Sequence, residues 1–184
     1  MAHLGTYGTR ARIGLIVPPT NTVNESEWRL AMPDDVSFHT HRMAIHTDIV
    51  SPEGRAALNA DLDASFSMVL PVRPDVIAYA CTAGSMVVPV NSLPDALSEK
   101  HGVPAVTTSA AIIAALGALS VKRPTVVTPY TQSMNDHEAS FLEQNGFHVT
   151  GISGRGIGSD NFTKIAQTPI QTVLEQVLET ITDG

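Results

Sequence analysis

A single cysteine, Cys81, closes an apolar run, Asp75-Val-Ile-Ala-Tyr-Ala-Cys81, and the small residues Thr82, Gly84 and Ser85 follow within four positions. A thiol at the carboxyl end of a buried strand, with such a loop after it, is where an open α/β sheet places chemistry. Backbone N–H groups in a turn of this kind hold an anion and lower a thiol pKa, which suits nucleophilic attack by a thiolate. A buried cysteine that only packs fits the same residues, so the local sequence leaves both readings open. A second candidate is Asn21 in Pro18-Pro19-Thr20-Asn21-Thr22, a strand-to-helix turn. Its amide and the free N–H groups of the helix start suit a carboxylate, although an ordinary helix cap needs the same residues. Tyr130, at the corresponding turn of the second half, offers a phenol for a hydrogen bond or a proton, or else packs at a strand end.

Other groupings are weaker. His39-Thr-His41 places two imidazoles on one face of a strand with His46 nearby, but no third metal ligand is evident, and no metal is expected. Gly154-Arg-Gly-Ile-Gly158 has the wrong spacing for a dinucleotide loop and reads as a flexible loop that presents Asn161. There is no P-loop, and the cysteine turn is not a Gly-x-Ser-x-Gly elbow. His101 and His137 stay open as partners in a Cys–His dyad.

The elements that must position these residues alternate strand and helix throughout. Strands are expected at 12–17, ending in Pro18-Pro19, and at 36–45, 75–80, 103–107, 124–128 and 147–152. Helices are expected from the Thr20–Thr22 caps to about Leu30, from Ser51-Pro52 to about Leu70, and from Asn91 to His101 with Gly102 closing it. Three more run from a Ser109 cap to about Leu119, on to Asn145 with Gly146 after it, and from Pro169 to about Thr182. A glycine-rich loop fills 154–161. This alternation implies mostly parallel sheets flanked by helices, with Asn21, Cys81, Ser109 and Tyr130 all following strands on the edge where ligands bind. Thr125–Thr131 echoes Ile13–Thr20, which suggests two similar lobes. The expected division is a loose leader at 1–11, an N-terminal α/β lobe with Cys81 at 12–108, and a partial C-terminal α/β lobe at 109–184. The alternation calls for another strand after the last helix, so the C-terminal lobe is expected to be incomplete, with lower stability or a tendency to associate.

Composition narrows the partners. Of 184 residues, 43% are hydrophobic and 16% charged, which fits a globular chain. The net charge of −7 and the lack of a Lys/Arg run argue against nucleic acid. One cysteine excludes an internal disulfide framework and fits the cytoplasm. The N-terminus lacks a signal-peptide core, and the apolar 105–121 stretch is broken by Thr107, Thr108, Ser109, Gly117 and Ser120, so no membrane partner is expected.

Several of these stretches together resemble the aspartate/glutamate racemase superfamily, most closely its maleate cis-trans isomerase and arylmalonate decarboxylase branch. The carriers are Gly14-Leu-Ile-Val-Pro-Pro-Thr-Asn21-Thr22 with Glu25, Tyr79-Ala-Cys81-Thr82, Val103-Pro-Ala-Val-Thr-Thr-Ser109, Thr128-Pro-Tyr130 and Gly156-Ile-Gly-Ser-Asp-Asn161. The resemblance covers the chain from Arg12 onward. It implies two α/β lobes with the site between them, no cofactor, a small carboxylate substrate and a homo-oligomer. It implies that Asn21 and Thr82 bind substrate, that Cys81 is the nucleophile, and that Tyr130 and Asn161 bind a second carboxylate. The expected activity is maleate-to-fumarate isomerisation by thiolate addition. Amino-acid or hydantoin racemisation and a truncated, inactive carboxylate-binding homologue stay open. The family's isomerases and racemases carry a second cysteine after a strand that would begin beyond Gly184; the decarboxylases keep that one and lack the first. This chain carries the first alone, so a second acid/base is to be found among other groups or in further residues.

Overall fold

Strand β1 (Ala11–Val17) sits at the centre of a four-stranded parallel sheet with β2 (Val36–Arg42), β3 (Val76–Tyr79) and β4 (Ala105–Thr107), in the order β2-β1-β3-β4. The computed structural model describes residues 5–182. The sequence alternates apolar residues into both faces of β1, and each face is covered by a helix. Leu15 and Val17 pack with Trp28 of α1 (Asn24–Ala31) and with Phe38 of β2. The opposite face carries Gly14, against which α2 (Pro52–Val69) presses closely. A Cβ on Gly14 would lie 2.4 Å from Val69 Cγ1, so glycine is what lets the helix seat. Leu58, Leu62 and Phe66 of α2 are buried at the four-residue helical spacing. Ser51 Oγ accepts from the Gly54 N–H at 3.0 Å and Pro52 opens the helix, as the sequence signature requires. A 3-10 turn, Leu70–Val72, follows it.

After β3 comes a one-turn helix, α3 (Thr82–Ser85), where a loop was expected; four residues carry no periodicity that would announce it. Helix α4 (Ser92–His101) ends at Gly102, whose φ of +67° explains the glycine. Helix α5 (Thr108–Ala118) begins one residue before the expected Ser109 cap. Thr107 Oγ1 accepts from the Ala110 N–H at 3.3 Å, while Ser109 lies inside the helix and is buried.

The chain divides into two compact units, one ending at Ala111 and one beginning at Ile112. In the second, β5 (Thr125–Tyr130) pairs in parallel with β6 (Gly151–Ile157). Helix α6 (Gln132–Gln144) joins them, and α7 (Thr163–Ala166) and α8 (Ile170–Thr182) follow. Strand β6 replaces both the expected strand at 147–152 and the first half of the expected glycine-rich loop. Gly154 answers crowding, whereas Gly156 has a φ of +70° and open space at its Cβ position. A Cβ on Gly154 would lie 2.3 Å from Asn135 Nδ2 and 2.4 Å from the Tyr130 carbonyl oxygen. Gln176 of α8 is buried and reaches both strands, its Nε2 3.2 Å from the Thr128 carbonyl and 2.9 Å from the Ser153 carbonyl.

Strand β2 stops at Arg42, short of the expected Ile45, and α7 had no sequence signal. Residues 1–4 of the expected leader and Asp183-Gly184 lie outside the described residues. Arg10, at the other end of the leader, is tied down: its N–H donates to the Asp35 carbonyl at 3.0 Å and its Nε lies 3.3 Å from the Asp35 carboxylate. Among the described residues, no helix is long and apolar enough to cross a membrane.

Gly154→Ala should destabilise the second unit by about 1–3 kcal/mol, read as a lower urea midpoint, because the added methyl has to displace backbone. Burial pushes the Glu138 carboxyl up to about 7, and its Oε2 has no hydrogen-bond partner among the described residues. The folded form therefore holds this proton more tightly than the unfolded chain. Stability contributed by the neutral acid is present below its ordinary value of about 4.3 and is lost as pH rises to about 7. Glu138→Gln should flatten that slope and raise the melting temperature above neutral pH.

Candidate active site

Parallel register brings three strand ends of the first unit to one edge. Ile16 pairs with Tyr79, and Tyr79 with Thr107, so Val17, Ala80 and Thr108 come next in register where the strands end. The Asn21 turn and Cys81 follow from two of these ends.

Cys81 is the residue before α3, with extended backbone (φ −136°, ψ 110°), so the strand direction runs directly into the one-turn helix. Its side chain is partly buried. Burial pushes the thiol pKa above its ordinary value, opposed by hydrogen bonds from the Gly84 N–H and from the Tyr79 hydroxyl. Desolvation wins, so the resting group is a thiol and the expected low-pKa thiolate is not its ground state. Thr82 opens α3 and is part-exposed. Beneath it, Ser85 is fully buried, donating its Oγ to the Thr82 carbonyl at 3.0 Å and accepting the Ser109 N–H at 3.1 Å. Ser109 Oγ in turn donates to the Ser85 carbonyl. Ser109 thus anchors the cysteine turn from below and does not reach into a site.

Asn21 is part-exposed and works first as a cap. Its Oδ1 accepts the N–H groups of Val23 and Asn24, each at 3.0 Å, and its Nδ2 donates to Asn24 Oδ1. One Nδ2 hydrogen remains for a ligand. Arg42, at the end of β2, clamps this turn: Nη1 donates to the Asn21 carbonyl at 2.6 Å, and Nη2 pairs with Glu25. Sequence reasoning missed Arg42, because a charged residue inside an expected strand reads as solvated.

In the second unit, Tyr130 ends β5 opposite Ile157, with which it pairs, and Asn161 follows β6 by four residues. Tyr130 N–H donates to Thr128 Oγ1 at 3.0 Å. Asn161 Oδ1 accepts from Thr163 Oγ1 at 2.8 Å, and the residue lines a cavity of about 440 Å³ with Arg155, Gly158, Asp160 and Lys164. Tyr130 does not line that cavity.

His39, His46 and His101 have other partners. His39 Nε2 lies 3.1 Å from Ser37 Oγ, and His46 Nε2 lies 2.8 Å from Asp61 Oδ2. His101 stacks on Phe66 and pairs with Asp63 at 2.8 Å, so it is not the partner of a Cys81 dyad. Among the described residues, no group of three or more His, Cys, Asp or Glu could hold a metal ion.

The first unit thus sets a lone thiol and a carboxamide at the carboxyl edge of one parallel sheet, the edge at which open α/β sheets take ligands. The match to known proteins is more particular: the arylmalonate decarboxylase family model covers residues 13–183, and the chain belongs to that family. It is 34% identical over 151 residues to a maleate isomerase of Nocardia farcinica, a match that takes in 76% of this chain and 59% of that protein's length. Its structure resembles the maleate cis-trans isomerase of Nocardia farcinica, solved as a Cys-to-Ser mutant with a covalently bound succinylcysteine intermediate. That likeness has a TM-score of 0.78 and 28% identity, over 92% of this chain and 72% of that one. The maleate isomerase Iso of Pseudomonas putida S16 shares the fold, with a TM-score of 0.80 at 24% identity, over 97% of this chain and 75% of that one.

Because burial raises the Cys81 thiol, its alkylation by iodoacetamide should rise with pH through a midpoint above the ordinary ~8.5 of a free cysteine. Asn21→Ala should cost about 1 kcal/mol of stability through the lost cap, seen as a lower melting temperature.

Proposed function

We propose that this chain is a cofactor-independent cis-trans isomerase of a small dicarboxylate, of the maleate-to-fumarate type, with Cys81 as nucleophile. The observation that supports this most is the covalent succinylcysteine of the similar Nocardia isomerase. Among the 184 residues here, the one thiol that could form such an adduct is Cys81.

In this reading the Cys81 thiolate adds to one alkene carbon of maleate. A C–S bond forms, and the π electron pair moves to the neighbouring carbon and into its carboxylate. The former double bond is now single and rotates. The pair returns, the C–S bond breaks with sulfur leaving as thiolate, and fumarate remains. No redox partner is needed, and the proton lost from sulfur at the start is recovered at the end. The remaining Nδ2 hydrogen of Asn21 holds one substrate carboxylate, aided by Thr82. These donors offset the negative charge that builds as sulfur attacks. Since the resting group is a thiol, activity depends on losing its proton, and kcat/KM should climb with pH through the Cys81 midpoint.

Maleate supplied to the protein should be converted to fumarate, followed by proton NMR. Cys81→Ala should bring turnover below detection, and Asn21→Ala should lower kcat/KM by about ten- to a hundredfold. Unchanged turnover in Cys81→Ala would overturn the proposal. Solvent deuterium entering a recovered amino acid or hydantoin, with maleate untouched, would replace it by racemisation.

A further inference from the structure

Two groups stand behind the cysteine turn without a role in substrate binding: the Tyr79 phenol and the Arg55 guanidinium. Tyr79 is 2% exposed, and its hydroxyl faces the Cys81 side chain, where it acts to hold the thiol pKa down. The two atoms converge above Gly84. A Cβ built there would lie 2.3 Å from the Tyr79 hydroxyl and 3.2 Å from Cys81 Sγ. Only glycine leaves room for the pair to meet. Arg55 approaches from α2, its Nη1 donating to the Gly84 carbonyl at 3.0 Å. It is half-buried, has no carboxylate partner among the described residues, and its charge acts on the Tyr79 phenol. Holding a guanidinium away from water without a counter-ion is costly, so its place here asks for a reason.

We infer that Tyr79 is a positioning residue for the Cys81 nucleophile, donating its O–H to Sγ, and that Arg55 fixes and polarises that donor from behind Gly84. The inference rests on the reading of Cys81 as the attacking thiol. Burial pushes the Tyr79 phenol above its ordinary range, so it stays protonated and remains a donor at neutral and mildly alkaline pH. A thiolate accepts from the phenol and from the Gly84 N–H together, which offsets part of the desolvation that opposes ionisation. Helix α5 contributes Thr108 Oγ1, which donates to the Tyr79 carbonyl at 3.3 Å and holds the strand rather than the sulfur.

The test is the pH profile of Cys81 alkylation by iodoacetamide in the full chain, read by mass spectrometry, with maleate turnover measured in parallel. Tyr79→Phe keeps the ring and removes the donor. It should move the alkylation midpoint up by about one pH unit, so that alkylation below the midpoint slows about tenfold. Arg55→Met should shift the midpoint in the same direction, and Arg55→Lys should restore most of it. A Tyr79→Phe protein that melts like the parent and alkylates with the parent midpoint would overturn the inference. If Tyr79→Phe does not fold, Arg55→Met carries the test, and a parental midpoint there would overturn it equally. The expected midpoint shifts without maleate turnover in the parent protein would support the Tyr79 role while overturning the maleate reading.

Discussion

The seating of β3 between β1 and β4 is the constraint on which the rest of the first unit depends. Parallel pairing at Ile16–Tyr79 and Tyr79–Thr107 sets where each chain leaves the sheet. A one-residue slip would turn every side chain of the strand to the other face, taking Tyr79 away from the cysteine turn. The register is held because both faces of β1 are buried, one under Trp28 of α1 and the other under Val69 of α2. Hydrophobic burial thus sets the geometry within which polar groups act.

Within that frame, two opposing effects meet at Cys81. Withdrawal from water favours the neutral thiol, and donated hydrogen bonds favour the anion. The first dominates at rest. The same dry surroundings strengthen every donor that faces the sulfur once charge develops, because electrostatic interactions gain as water is excluded. A thiol that ionises only when engaged is also less exposed to adventitious oxidation than a standing thiolate.

Much of this was legible in the residues. Ser51-Pro52, Gly102 and the alternating strands announced themselves through capping and periodicity, and the cysteine at the end of an apolar run placed itself at a sheet edge. What escaped has physical reasons. Tyr79 lies inside an apolar run, where a tyrosine reads as core packing. Arg55 lies in a helix, where a cation reads as solvated. Their convergence joins residues 24 apart in the chain, through the backbone of Gly84 at a further remove, and no local pattern records that. The displacement of the last strand, by four residues at its start and five at its end, had a different origin. Its glycines read as loop because composition cannot tell a glycine that confers freedom from one that makes space, and Gly154 makes space for Asn135 and the Tyr130 carbonyl.

Gln176 carries a consequence for the order in which the molecule is made. The pair β5–β6 is bridged by a single side chain that donates to the Thr128 carbonyl 48 residues earlier and to Ser153 23 residues earlier. A ribosome delivers the chain from its amino end, so the first unit has every strand and helix it needs while the carboxamide that ties the second sheet is still unmade. During that interval the two later strands are bare on the side that α8 will cover.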